Sequence, residues 1–372
     1  MELPVEHLDE NRVTGLLPSR DPVRLIDENG TLTDDDARGG YQLPPAEMLG
    51  DAYRRMVMGR RFDTEATALT RQGRLAVYPS SRGQEACQVG GVLALQQQDW
   101  LFPTYRDTMS LVTRGVDAVE ALGLLRGDWH CGYDPMRERI APQCTPLATH
   151  APHAAGLAYA ARRRGDDTVA LAFIGDGGTS EGDFHEALNF AAVFGAPVVF
   201  VIQNNRYAIS VPLSRQTAAP SLAYKGIGYG IRSEQVDGND VAAVLAVLTD
   251  AIDHARSGHG PMLVEAHTYR IEAHTNADDA GRYRDASETA VWIPRDPISR
   301  LERYLSGAGA LSEEDIRRVQ ESAEAYAEDL RARMNVDPVV RPEEMFEHVL
   351  TEPTPQLRRQ RETVSGLSAD GG

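Results

Sequence analysis

Residues 168–207 read TVALAFIGDGGTSEGDFHEALNFAAVFGAPVVFVIQNNRY, and their pattern decides the fold class. The run 169–174 is apolar, has no helical period and ends at a glycine, as a buried strand does. From Glu181 the residues Phe184, Ala187, Leu188, Ala191 and Phe194 recur at helical spacing. Gly195, Ala196 and Pro197 stop that helix, and a second apolar run, 198–202, follows. Strand, turn, helix and strand in this order predict a βαβ unit. The fold class is therefore α/β, with a mostly parallel sheet and helices on both faces.

The chemistry sits at the two strand ends. Gly175-Asp176-Gly177-Gly178 leaves backbone amides bare in front of a helix N-terminus, a natural seat for a diphosphate. A diphosphate in such a fold usually brings Mg²⁺, which takes hard oxygen ligands in octahedral array. Asp176 offers a carboxylate, and Asn204-Asn205 close the next strand, where amide oxygens reach the same crevice. Either signal alone is ordinarily a turn or a strand end. At βαβ spacing, both after buried strands, the pair is specific.

This pairing resembles the thiamine diphosphate fingerprint. The longer run GDGGTSEGDFHEALNFAAVF…NNRYAISVP is similar to the alpha subunit of the 2-oxo acid dehydrogenase decarboxylases, in the branched-chain and bacterial pyruvate branches. The likeness extends from about Tyr53 to Leu357. It implies the thiamine-diphosphate-binding fold with a helical C-terminal region, and oxidative decarboxylation of a 2-oxo acid with transfer of the acyl group to a lipoyl arm. It implies Mg²⁺ held by Asp176, the Asn205 side chain and the Tyr207 backbone carbonyl. Gly177 and Gly178 would lie along the diphosphate, and Asn204 would brace the turn. Tyr105, Arg106 and His274 would face the diphosphate, with His274 the catalytic residue that also meets the lipoyl group. Thr145 and Leu147 would support the thiazolium ring. The implied partners are a beta subunit, as two alpha and two beta chains, and a lipoyl-bearing acyltransferase. The stretches Thr145-Pro146-Leu147-Ala148-Thr149 and Tyr269-Arg270-Ile271 favour a branched-chain substrate; pyruvate is the alternative and acetoin a remote one.

Composition narrows the classes. The 372 residues, 42% hydrophobic and 25% charged, suit a soluble globular chain with one large core or two modest ones. A net charge of −17, from 38 basic and 55 acidic residues, argues against nucleic acid or an anionic membrane as partner. No apolar run is long enough to span a bilayer, and the first residues resemble neither a signal peptide nor an organelle presequence. Cys87, Cys131 and Cys144 form no CxxC pair and suit a reducing cytoplasm.

Residues 1–43 read as an extended arm over the surface, with one hairpin-like piece, 23–32, around Asn29-Gly30. Pro44-Pro45 opens a helix over about 46–72, and residues 44–357 form the α/β domain with its helical C-terminal part. Glu85 opens a helix that continues over 87–95, where it either complements the dipole or carries chemistry. Arg106 either pairs with Asp107 or offers its planar fork to phosphate oxygens, and the resemblance favours the second. His130, His150 and His153 lack the spacing of a zinc site, and His185-Glu186-Ala187-Leu188-Asn189 lacks the second histidine of a zinc protease. Residues 225–230 and 236–240 read as a turn and a helix start, with Asp240 as N-cap of a helix over 241–257. The run 260–266 is another buried strand, and the polar loop after it carries His274. Residues 314–334 are amphipathic, 345–350 form a short element of the same kind, and 358–372 are a charged, frayed tail.

Two other readings were weighed. A noncatalytic paralogue used as an assembly or regulatory subunit would be expected to lose metal or phosphate ligands, which are all in place here. A nicotinamide-dependent oxidoreductase fails because the turn is GDGG and not GxGxxG. Three positions depart from the mammalian relatives. Gln203 stands where branched-chain members carry Arg, and Thr275 and Asp285 occupy the positions of regulatory phosphoserines, so kinase control is not expected.

Overall fold

Five strands build one parallel sheet: β1 (Trp100–Phe102), β2 (Ala170–Gly175), β3 (Val198–Asn204), β4 (Arg232–Asp237) and β5 (Met262–His267), in the order β1-β2-β3-β5-β4. They belong to a computed structural model that describes residues 13–128, 130–337, 341–347 and 349–370. The longer helices are α1 (Ala46–Arg71), α2 (Glu85–Ala94), α3 (His150–Arg164), α4 (Gly182–Phe194), α5 (Val241–His254), α6 (Pro297–Gly307), α7 (Glu313–Met334) and α8 (Pro355–Asp370).

The sheet is covered on both faces because its strands are apolar on both. Leu171, Phe173, Val199 and Val201 pack with Tyr53 and Met56 of α1, Val89 of α2 and Val244 and Leu248 of α5. Ala170, Ala172, Ile174, Phe200 and Ile202 face the other way, onto Ala154 and Ala158 of α3 and Phe184 and Leu188 of α4. Period-two alternation between two buried faces is what hides a polar/apolar pattern in such strands. A third cluster joins Phe62, Ala66 and Leu69 of α1 to Leu330 and Met334 of α7, whose start carries a capping box between Ser312 and Asp315.

The predicted α/β class, the βαβ unit, α1, α4, α7 and the Asp240 cap are all present. Other expectations need correction. Residues 1–12 of the arm lie outside the described residues; from 13 to 43 the arm is mostly exposed or half-buried, but Val23, Leu25 and Ile26 are buried in the main core. Val23 forms a parallel bridge with Val236, so the arm covers the β4 edge of the sheet. The amides of Leu25 and Ile26 both donate to Asp240 Oδ2, each at 2.7 Å. The hairpin piece is real, with Ile26 paired to Leu32 and Gly30 at φ +81°, where a Cβ would also meet the Arg303 Cβ at 2.5 Å.

Strand β4 lies between the turn expected at 225–230 and the helix start expected at 236–240, and carries no apolar signal because Arg232, Ser233, Glu234 and Gln235 are polar. Its burial is made tolerable by partners from the arm: Glu234 accepts from Ser19, and Gln235 donates to the carbonyls of Ser19 and Arg20. The helix expected to reach 257 is α-helical only to His254 and ends in a π-turn, Ala255–His259. Residues 345–350 do not form an amphipathic element; a 3₁₀ turn spans Pro342–Phe346, and Val349 and Leu350 are exposed. The tail is helical from Pro355 to Asp370 rather than frayed. Among the described residues no helix is long and apolar enough to cross a membrane.

Candidate active site

The parallel register brings the site together. Gly175 stands opposite Gln203, and Asn204 opposite His267, so the carboxyl ends of β2, β3 and β5 are level. Their exits border one open cleft, at the strand ends where ligands sit in parallel α/β sheets. Asp176, Gly177, Gly178, Asn205, Tyr207, Tyr105, Arg106, Leu147 and His274 all line it. Thr145 does not; it is exposed, while Leu147 stands at the mouth with 41% of its surface free. The likeness of the loop implies both, and Leu147 is the one of the two that lines the cleft.

The glycine turn is a 3₁₀ helix, Gly177–Ser180, leading into α4. Glycine is required at 177 by close approach and not by an unusual φ, since a Cβ there would lie 2.6 Å from the Ala208 Cβ. Asp176 is 1% exposed. Its Oδ2 accepts from Gln216 Nε2 at 2.8 Å, and its Oδ1 makes no hydrogen bond. Burial pushes this carboxyl above the usual range, only partly offset by Gln216. A buried carboxylate with a free oxygen is costly unless a cation completes it.

After β3 the chain turns sharply at Arg206, φ +76°. Asn204 braces that turn as expected: its side-chain oxygen accepts from the Arg206 amide at 3.2 Å, and its Nδ2 donates to Glu265 at 2.6 Å. Asn205 Oδ1 accepts from the Tyr207 amide at 3.3 Å. The Tyr207 carbonyl accepts a long bond, 3.3 Å, from Arg270 Nη1, which leaves its second lone pair for another partner.

Opposite these oxygens stands a cationic wall. Arg106 is 5% exposed and does not pair with Asp107, whose Oδ2 accepts from the Thr104 amide and hydroxyl, each at 2.7 Å. Arg106 instead donates to the Ser80 carbonyl at 3.0 Å, the His274 carbonyl at 2.9 Å and His274 Nδ1 at 3.0 Å. A guanidinium has no acceptor, so Nδ1 is the accepting nitrogen and the proton of the neutral ring is on Nε2. The Tyr105 ring meets the His274 ring edge-on, with centroids 6.0 Å apart. Arg270, 1% exposed, donates to the Ile209 carbonyl at 2.7 Å and the Tyr283 hydroxyl at 2.8 Å, and burial lowers its pKa.

Burial first, then Arg106 and Arg270, hold the His274 pKa down to about 4. The unfolded chain takes up this proton near pH 6.5, the folded chain only near 4. The cofactor-free protein should therefore lose stability as pH falls through that window, and His274→Gln should flatten the slope. Urea unfolding between pH 7 and 4 measures both; equal slopes would contradict the neutral ring.

The sequence carries Arg270 only within the stretch Tyr269-Arg270-Ile271, and gives no sign of Gln84 in the cleft or of Gln216 on Asp176. Gln84 follows a glycine ahead of a helix, and Gln216 comes from a turn with no pattern, so neither carried a usable signal. Glu85 proves structural: it is buried and paired with Arg60. His150 is bound through Nε2 to the Phe173 carbonyl at 2.5 Å. Among the described residues no three His, Cys, Asp or Glu side chains cluster as a metal site. The cleft is lined by two carboxylates, Asp176 and Glu181, so a cation there would also need neutral oxygens.

The family model for the dehydrogenase E1 component matches residues 53–343, more than half of the chain. The chain belongs to that family. It is similar to the 3-methyl-2-oxobutanoate dehydrogenase subunit alpha of Mycobacterium tuberculosis (strain ATCC 25618 / H37Rv), 46% identical over 355 residues that cover 95% of this chain and 96% of that protein. It is also similar to the pyruvate dehydrogenase E1 component subunit alpha of Staphylococcus aureus (strain N315), 41% identical over 307 residues, 82% of this chain and 81% of that one. The corresponding protein of Acholeplasma laidlawii is 41% identical over 325 residues, covering 86% and 93%. This E1 chain is thus an alpha subunit of a 2-oxo acid dehydrogenase complex, of branched-chain or pyruvate type, and an oxidoreductase. The E1 family depends on thiamine diphosphate, and its alpha subunits pair with a beta subunit.

Proposed function

We propose that the cleft holds thiamine diphosphate through Mg²⁺ bound by Asp176 Oδ1, the Asn205 side-chain oxygen and the Tyr207 carbonyl. The observation that carries this is the unpartnered, buried Asp176 oxygen, at a cleft that Arg106 and Arg270 also line. Hard neutral oxygens and one carboxylate suit Mg²⁺, whose remaining positions go to diphosphate and water. Gly177 and Gly178 let the backbone approach the anion closely, and Arg106 and Tyr105 face it. Arg106 also holds His274 neutral, with its Nε2 proton free to be donated to a diphosphate oxygen or an incoming lipoyl group. When bound, thiamine diphosphate supplies the electron sink for loss of CO₂ from the 2-oxo acid; the chain supplies position and charge.

The acyl acceptor in this reading is the lipoyl arm of an acyltransferase, and the setting is the cytoplasm. The substrate is a branched-chain 2-oxo acid, supported by the higher identity and fuller coverage of the 3-methyl-2-oxobutanoate relative. Thr145, exposed on the loop that carries Leu147, is left out of the cofactor set. The test is the chain co-purified with its beta subunit, given thiamine diphosphate, Mg²⁺ and a panel of 2-oxo acids, with CO₂ release as readout. Fastest release from 3-methyl-2-oxobutanoate is expected; a clear preference for pyruvate would overturn the substrate assignment.

The loop 272–284 is held mostly by polar contacts, beside ring contacts of His274 with Tyr105 and of Tyr283 with Tyr207: Asp278 accepts from the His274 amide at 2.8 Å, Asn276 accepts from the Tyr78 amide at 3.1 Å, and Arg284 donates to the Ile271 carbonyl at 2.5 Å. With so little apolar burial it should open more easily than the sheet. Cofactor bound at His274 would add charge-assisted bonds and close it. Limited proteolysis should cut within 272–284 faster without cofactor than with it. Equal rates would count against a gating role.

A further inference from the structure

From the wall of the cleft inward, four buried side chains form a hydrogen-bond chain that runs in one direction. Asp107, Gln203, Gln84 and Asn205 are 0%, 1%, 2% and 6% exposed. Asn205 Nδ2 donates to Gln84 Oε1 at 3.0 Å, Gln84 Nε2 donates to Gln203 Oε1 at 2.9 Å, and Gln203 Nε2 donates to Asp107 Oδ1 at 2.7 Å. Amide orientations are normally open to exchange of oxygen and nitrogen. Here both ends are fixed by groups that cannot exchange. At one end the Asp107 carboxylate accepts from every neighbour, including the Thr104 backbone amide and Gln88 Nε2 at 3.0 Å. At the other, the Tyr207 backbone amide can only donate, and it donates to Asn205 Oδ1. Reversing any single link would set two acceptors or two donors face to face in a buried place, where an unmet polar group is costly.

We propose that Asp107, Gln203 and Gln84 are positioning residues that hold the Asn205 amide with its oxygen away from Gln84 and available to the cation. This rests on the reading of Asn205 as a Mg²⁺ ligand. It also gives Gln203 a place, since its amide oxygen and nitrogen both bond within the chain. Orientation of a metal ligand by its outer partners is worth about 10–100-fold in metal affinity.

The test uses the full alpha chain with its beta subunit and reads Mg²⁺-dependent binding of thiamine diphosphate by calorimetry, beside the thermal midpoint of the cofactor-free protein. Asp107→Asn removes the fixed end of the chain at constant shape and should weaken binding roughly tenfold. Asn205→Asp alone sets a carboxylate against Gln84 Oε1 and should lower the thermal midpoint. Combining the two keeps the net charge and lets every amide reverse, so the double variant should bind more tightly than Asp107→Asn and melt above Asn205→Asp. Losses that simply add would overturn the proposal, because a merely structural role gives no such rescue. If Asp107→Asn does not fold, Gln203→Met cuts the chain and leaves the Thr104 contacts intact; it should show the same tenfold loss, and unchanged affinity would overturn the proposal. Asp176→Ala serves as control. Should it bind normally, the metal reading itself falls; should it fail while the Asp107 and Gln203 variants bind normally, only the orienting chain falls.

Discussion

Asp176→Ala should lose Mg²⁺-dependent binding of thiamine diphosphate by more than about a hundredfold, above what outer partners of a metal cost. The substitution removes the only carboxylate in the assigned ligand set and leaves Asn205 and the Tyr207 carbonyl, two neutral oxygens, which are weak ligands alone. The fold should survive it. Asp176 is buried with one unpartnered oxygen, and its raised pKa says that the ionised form is disfavoured where it stands. Taking away a buried charge that lacks a partner removes a cost, so the cofactor-free variant should melt no lower than the parent. Asn205→Ala should also bind poorly, with a smaller loss, because it takes a neutral ligand. Isothermal titration with and without Mg²⁺ measures both. Unchanged affinity in both variants would remove the metal site, and a collapse of the cofactor-free midpoint in Asp176→Ala would mean that the carboxylate is a structural anchor.

The purified alpha chain alone should decarboxylate 2-oxo acids at less than roughly a hundredth of the rate of the reconstituted pair, since positioned acid–base groups contribute about 10²–10⁴-fold. Thiamine chemistry needs two ends of the cofactor held. The described residues form one parallel sheet with one cleft at its carboxyl edge, and that cleft carries the groups suited to a diphosphate. The other end requires a carboxylic acid at the aminopyrimidine ring, which thiamine enzymes take from a second α/β domain. The mouth of the cleft also looks unfinished: Leu147 and Ile209 line it with 41% and 53% of their surfaces exposed. Apolar side chains at the rim of a polar cleft suit burial against a partner chain. Comparable turnover by the alpha chain alone would contradict this, and would point to Glu181, the other carboxylate lining the cleft, as the acid.

What could be read from the sequence was whatever has a period or a turn signature. Strands β2 and β3 are continuous apolar runs bounded by glycine or proline, and α4 and α7 keep helical spacing, so all four were legible. Strand β4 was not, because its buried side chains are polar and their partners, Ser19, Arg20 and Arg24, lie more than two hundred residues away. The same distance hid the arm: Val23, Leu25 and Ile26 look like an isolated apolar trio until Val236 and Asp240 are placed beside them. At the site, Asp176, Asn205 and His274 were found because a motif names them. Gln84 and Gln203 act only through each other and Asp107, and pairwise contacts across the fold leave no local pattern. Thr145 was an expectation from likeness alone; it is exposed and does not line the cleft, while Leu147, two residues on, does.

The central claim is that one cation joins Asp176, Asn205 and the Tyr207 carbonyl to the diphosphate. It is tested most directly by a crystal structure of the alpha–beta assembly grown with thiamine diphosphate and Mn²⁺ in place of Mg²⁺, with data collected at the manganese absorption edge. The account predicts one anomalous peak in the cleft, about 2.1 Å from Asp176 Oδ1, the Asn205 side-chain oxygen and the Tyr207 carbonyl, close to the octahedral distances of a small hard cation. A peak elsewhere, or bound cofactor with no peak among these three oxygens, would contradict it.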